Sequence, residues 1–249
     1  VDVTARYQFQ PTVSHTQRLT FTIEQVDSVF VVPSGTLGVA AQPGERASFS
    51  IGVRNTGNSL AQYTMNCSSS SQWQIMLGSS NSSSLEFEPL NILQDLSMDV
   101  NVFVPNVANG QPAAGFLDQI TCVVTSPTDP LLNHVEVVDV AVAELRAFQS
   151  DLYGPDGAVG PRALALPISV DTGEVIYFNH TISNNGNVEM DFTVSLERGN
   201  PAWAAQMTYL EQSSSSNLAL TLAPGQVADI QVMLLIPETA REGNSNTYD

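Results

Sequence analysis

The chain has 249 residues and a formal net charge of −17, with 25 acidic residues against 8 basic ones, all of them arginine. So negative a surface repels phosphate backbones and excludes nucleic acid as a partner, whereas 43% hydrophobic residues suffice for buried cores and exclude a disordered acidic tail. Val and Thr are plentiful and Lys is absent, which points to strands, and no run of about 18 apolar residues is present to insert into a membrane.

In chain order, Val1 to Phe9 reads as a strand, Gln10 to Thr16 as a loop and Arg18 to Gln25 as a returning strand. This hairpin, within 1–27, belongs to neither of the units that follow. The first unit, 28–145, has a strand after Gly44-Glu45 in which Ala47, Phe49, Ile51 and Val53 alternate with Ser48, Ser50 and Gly52. One face is therefore apolar, the mark of a half-buried sheet. The strand ends at Asn55-Thr56-Gly57-Asn58, where an Asn-Gly pair suits a tight turn with positive φ. Beyond Trp73, a strand with Met98, Val100, Val102 and Val104 inward stops at Pro105, which cannot go on donating to a ladder. Leu117 to Thr125 and His134 to Ala143 form a terminal hairpin about Ser126 to Pro130. The segment 146–163 holds Gly154-Pro155-Asp156-Gly157 and Gly160-Pro161, and reads as a linker of limited flexibility.

The second unit, 164–249, repeats these landmarks. Gly173-Glu174 and Asn184-Asn185-Gly186-Asn187 each lie 129 positions after their counterparts, Trp203 lies 130 after Trp73, and Ile236-Pro237 lies 132 after Val104-Pro105. The inward set becomes Ile176, Phe178, His180 and Ile182, then Ile230, Val232, Leu234 and Ile236. Strands alone, joined by turns, give an all-β chain of tandem sandwiches. No hairpin like that at 117–143 follows in the second unit. Thr247-Tyr248-Asp249 followed by Val1-Asp2-Val3-Thr4 scans like Leu117-Asp118-Gln119-Ile120-Thr121. The sequence is thus expected to open on the last hairpin of one sandwich and to close before the last hairpin of another.

The order of strand, Asn-x-Gly-Asn turn, Trp, Leu-x-Pro-Gly turn (Leu222-Ala223-Pro224-Gly225) and alternating strand ending in Ile-Pro resembles the immunoglobulin-like modules repeated in large archaeal surface proteins. Similar modules accompany some bacterial α-galactosidases and are relatives of the CARDB-like adhesion domains. The first unit departs from the pattern at Leu90-Asn91-Ile92-Leu93, so an irregular turn is expected there. The resemblance covers most of both units. It implies an extracellular scaffold acting as spacer, adhesin or accessory module, and it transfers no catalytic residue and no cofactor.

In an immunoglobulin-like order the strands of Cys67 and Cys122, the two cysteines, are neighbours, so a cross-strand disulfide is expected. Closing a loop of 55 positions stabilises by about 4 kcal/mol in the loop-entropy model. Asn66, Asn81 and Asn179 head Asn-x-Ser/Thr triplets and are glycosylation candidates, with Asn81 in the serine-rich loop Ser79 to Ser84. Asp151 and Asp156 could offer oxygens to an interdomain Ca²⁺, though their spacing is not that of a known calcium loop; His134 with Glu136 share a face but have no third ligand, so a solvated face is preferred there. His180, at the position of Ile51, reads as a core histidine.

No nucleophile elbow or phosphate loop occurs. The expectation is a non-catalytic structural or adhesive module of a cell-surface protein or filament. It would be completed head-to-tail by strand donation or by neighbouring domains of the same parent protein. The rival is a carbohydrate-binding or spacer module of a secreted glycoside hydrolase, with glycans as ligands. Trp73 and Trp203, at equivalent positions, read as structural anchors rather than as a sugar platform.

Overall fold

Eighteen strands and no helix occur among the described residues, 1–34, 38–129, 131–154, 169–197 and 203–244, of the computed structural model. The chain opens with β1 (Asp2–Tyr7) and β2 (Gln10–Arg18), an antiparallel pair of its own. Its turn is at Gln8-Phe9. Residues 10–16, expected as a loop from their polarity, are instead strand, because Thr12 and Thr16 suit an extended backbone even where both faces are polar, and the returning strand expected over Arg18 to Gln25 has already ended at Arg18.

The first sandwich comprises β3 (Val29–Ser34), β4 (Gly38–Ala41), β5 (Arg46–Asn55), β6 (Thr64–Ser69), β7 (Gln74–Leu77), β8 (Ser84–Glu86), β9 (Asp95–Phe103), β10 (Leu117–Thr125) and β11 (Asn133–Val142). One sheet runs β3-β5-β9-β7 and the other β4-β11-β10-β6-β8. Among the described residues only β4 and β11 pair in parallel. Period-two alternation puts Ile51, Val53, Val100 and Val102 of one sheet against Tyr63, Met65, Ile120, Val124 and Val140 of the other, all buried in a single cluster. Burying each of the larger ones contributes about 1.5–3 kcal/mol.

The second sandwich comprises β12 (Phe148–Tyr153), β13 (Val175–Asn184), β14 (Met190–Ser195), β15 (Ala204–Tyr209), β16 (Gln212–Ser214), β17 (Asn217–Leu222) and β18 (Val227–Leu235). Its large sheet runs β12-β13-β18-β15-β16, and its small one is the pair β14-β17. The fold is that of tandem immunoglobulin-like β-sandwiches. The segment 146–163 is not all linker: Phe148–Tyr153 pairs with the C-terminal half of one edge of β13, from Phe148 opposite Asn184 to Tyr153 opposite Asn179. The Gly-Pro pairs that suggested a linker begin only after this strand, and residues 155–168 lie outside those described.

The frame repeats down to single hydrogen bonds. Gly44 and Gly173 both have positive φ, at 83° and 79°, and each donates its N–H to the carbonyl that ends the later strand, Val104 or Ile236. Phe49 and its counterpart Phe178 are both half-buried, not fully buried as the inward position suggested for Phe178. Asn179 beside it is exposed, so the face assignment stands. The turn at Leu90 to Leu93 is regular: Leu93 N donates to Asn55 O as Gly225 N donates to Asn184 O, and Gln94 and Gln226 close the two turns with the same side-chain bond. Leu93 adopts φ 61° where Gly225 has 75°.

Candidate assembly site

Two features of the sandwiches stand out: a clasp at the Asn-x-Gly-Asn turn, and an edge of the second sandwich that is unpaired among the described residues. Asn55 and Asn184 are fully buried. Each accepts the N–H of the glycine two residues on through Oδ1 at 2.9 Å, an Asx turn. Their Nδ2 groups donate to Ser59 O and Leu90 O in the first sandwich, and to Val188 O and Leu222 O in the second. Every polar atom of these side chains is thereby satisfied, as burial requires. Gly57 and Gly186 are not in the left-handed region expected for them. They are glycines because another backbone passes over them: an added Cβ would meet Val26 O at 2.5 Å, or Leu145 O at 2.3 Å.

The last Asn of each turn holds that passing backbone. Asn58 accepts Val26 N–H at 2.8 Å through Oδ1 and donates Nδ2 to Glu24 O at 2.9 Å. Asn187 accepts Leu145 N–H at 2.7 Å and donates to Ala143 O at 3.0 Å. Asn187 Nδ2 also reaches Pro112 O at 3.3 Å, and its carbonyl accepts Ala114 N–H at 3.2 Å. These bonds fix the chain leaving β11 to the second sandwich. The segment at Glu24 to Ser28 is therefore held by the first sandwich as the exit of β11 is held by the second.

This equivalence, a displacement of 119 positions, extends into the opening hairpin. Val1 and Leu19 exchange two backbone bonds at 2.9 Å, and their counterparts Ile120 and Val138 are cross-strand partners. Asp2 opposite Arg18 corresponds to Thr121 opposite Val137. By the same displacement Val1, Val3, Leu19, Phe21 and Ile23 match Ile120, Cys122, Val138, Val140 and Val142, although Leu19, Phe21 and Ile23 lie beyond the end of β2 whereas their counterparts are in β11. The first set is exposed, Phe21 at 77% and Ile23 at 88%, whereas Val140 and Val142 are at 0% and 2%. The hairpin thus matches in sequence a pair of strands whose apolar residues line the core of the first sandwich, while its own are exposed.

The second sandwich differs at the corresponding place among the described residues. In the first, β6 lies between β8 and β10; its counterpart β14 pairs with β17 alone among the described residues. The open edge is that of β14, since β18 is flanked on both sides by β13 and β15. Phe192 and Leu196 are accordingly half-buried where Tyr63 and Cys67 are buried.

Cys67 and Cys122 face each other across β6 and β10 and are bonded. Asn66, Asn81 and Asn179 are exposed. Asp151 lies on β12 and accepts Gln149 Nε2 at 2.7 Å, while Asp156 lies outside the described residues. His134 packs edge-on against Phe30 at 6.4 Å, and Glu136 is half-buried on the same face. His180 bonds Ser150 Oγ through Nε2 at 2.6 Å; burial holds its pKa below the ordinary 6.5, partly offset by the Asp151 charge. Trp203 is buried and Trp73 packs on Phe116 at 5.9 Å. Sequence reasoning missed Asn58, Asn187 and Asp27. Asp27 takes hydrogen bonds from Gln25, Thr128 and Ser126, which lower its pKa and tie the entering segment to the β10–β11 turn.

No protein-family model matches the chain, and no curated protein matches it. Among solved structures it is similar to the secreted serine protease VesC from Vibrio cholerae, with 9% identity, 89% of this chain and 51% of that one covered, and a TM-score of 0.29. It is also similar to the YadV chaperone (8% identity, 89% and 90% covered, TM-score 0.31) and to the periplasmic chaperone SfaE (11%, 89% and 90%, TM-score 0.29). The chain spans about half the length of VesC. The fold therefore rests on its own strand order and registers.

Proposed function

We propose that the chain is a non-catalytic structural segment of an extracellular surface protein or filament, in which immunoglobulin-like sandwiches follow one another through a repeated, stiff joint. The observation that carries this is the clasp: Asn58 and Asn187 hold the incoming chain with the same bonds at two successive joints. A joint built twice alike gives an array of constant pitch, which suits a spacer or adhesin stalk. The Cys67–Cys122 disulfide supports an oxidising, extracellular setting, and exposed Asn81 and Asn179 are open to glycosylation there. The resemblance to archaeal surface modules favours the same reading.

Small-angle X-ray scattering tests it. The two sandwiches should behave as one rigid body, and Asn187→Ala, which unties Leu145 and Ala143, should broaden the distribution of interdomain distances. A native chain already as flexible as the variant would overturn the stiff-joint reading. Selective, saturable retention on a glycan array would favour a carbohydrate-binding module instead.

A further inference from the structure

Resting on the stiff-joint reading above, we propose that the turn Leu222 to Gly225 is a docking surface for the Asn109-Gly110 turn of the first sandwich, and that this contact sets how the second sandwich is rotated on the first. The clasp fixes where the chain enters a sandwich, but a chain held at one place can still twist. A second contact beside the clasp stops that rotation.

The docked element is the hairpin turn between Ala108 and Gln111, whose main chains exchange two hydrogen bonds, at 2.8 and 3.0 Å. Asn109 and Gly110, the two residues of the turn, have φ of 50° and 76°. Positive φ at both positions is what a type I′ turn requires, and Asn-Gly meets it at little cost. The glycine answers a second demand. Gly110 is buried, and a Cβ on it would lie 2.5 Å from Pro224 Cβ and 2.9 Å from Pro224 O. On the receiving side, a Cβ on Gly225 would lie 2.9 Å from the Asn109 carbonyl carbon and 3.1 Å from Gly110 N. Two turns thus meet at their tips, each with a glycine where the other's chain lies.

Both turns are tied to the clasp. Gly225 N donates to Asn184 O at 2.9 Å, which bonds the receiving turn to the turn that carries Asn187. Asn187 in its turn bonds Pro112 O and Ala114 N–H, just beyond the docked residues.

The first sandwich shows what would refuse such a partner. Its matching turn carries Leu93 in place of Gly225, at φ 61° and with the same main-chain bond to a buried Asn. The Leu93 side chain, 67% exposed, stands where the Asn109 main chain would have to pass. A leucine there excludes an Asn-Gly turn seated in this way, although the Asn58 clasp is intact. The residue at this position therefore selects the partner, and glycine selects a two-residue turn that itself carries glycine second.

Residual dipolar couplings of the whole chain read the orientation of each sandwich, and small-angle scattering reads their spacing. The native couplings should fit one alignment tensor for both sandwiches. In Gly110→Ala and in Gly225→Ala, on opposite sides of the contact, the fit should separate into two tensors while the spacing holds. Gly115→Ala is the control, since Gly115 has a comparable φ of 79° but nothing within 4 Å of an added Cβ, and it should keep the single tensor. Because each tensor is fitted within one sandwich, a variant that unfolds is told apart from one that frees the joint. A single tensor retained in both contact variants, or lost equally in Gly115→Ala, would overturn the proposal. Asn187→Ala has its own readout, the spread of interdomain distances, so the clasp is judged separately.

Discussion

In the first sandwich the buried side chains merge into one cluster shared by a four-stranded and a five-stranded sheet; in the second, built on the same frame, they fall into two smaller clusters. The difference traces to the strands β10 and β11. They cover Tyr63, Met65 and Cys67; no counterparts occur among the described residues of the second sandwich, and Phe192 and Leu196 are half-buried. The turns at both ends of the frame are unaffected, down to the Asn side-chain bonds. Local turn chemistry thus sets the frame independently of how much of the core is filled, and the core decides stability.

The largest asymmetry to break is the disulfide, which only the first sandwich has. Replacing Cys67 and Cys122 by Ala should lower the stability of the first sandwich by about 4 kcal/mol, the entropy of a 55-residue loop. The second should be unchanged. Denaturant unfolding followed by hydrogen exchange separates the two. Equal losses in both would mean that the sandwiches unfold as one unit.

A smaller effect tests the turns. Leu93 holds a left-handed backbone that costs a non-glycine residue about 1–2 kcal/mol, partly offset by the flexibility glycine brings to the unfolded chain. Leu93→Gly should therefore stabilise the first sandwich by about 0.5–1 kcal/mol, read as a rise in its Tm. Gly225→Leu should destabilise by more, because its Cβ would also meet the Asn109 backbone at 2.9 Å across the joint.

The smallest effect is a pH dependence confined to the second sandwich. Burial depresses the His180 pKa, so its contribution is present above the ordinary value of 6.5 and is lost as pH falls through the depressed folded value. The second sandwich should weaken between neutral and mildly acid pH, and His180→Ile, the residue of the first repeat at Ile51, should flatten that slope. A slope unchanged in the variant would place the acid sensitivity elsewhere.

The repeat frame was legible because its turn residues act locally: Gly44 and Gly173 at positive φ, Asn55 and Asn184 bonding two residues ahead. The strand faces followed from alternation, and the cysteine pair from the order of strands. What was not legible depends on chain passing far from the turn. Gly57 looked like a positive-φ residue because its true constraint, the Val26 carbonyl, lies 31 positions earlier and carries no sequence mark. Asn58 and Asn187 looked like turn filler for the same reason. Strand β12 hid beside a Gly-Pro-rich segment, since Phe148–Tyr153 has no fully buried residue and lacks an apolar face of its own. The hairpin itself was recognised, but its turn was misplaced because polar β-branched residues were read as a loop.

The clasp touches main-chain atoms alone: Glu24 O and Val26 N at one joint, Ala143 O, Leu145 N and Pro112 O at the other. It reads no side chain of the neighbour it holds. If the chain belongs to an array as proposed, its gene would be free to gain, lose or exchange units by recombination, because each new junction would inherit a working hinge-pin whatever sequence arrives. Length is then the property that changes most easily, and the spacing between units the one that changes least.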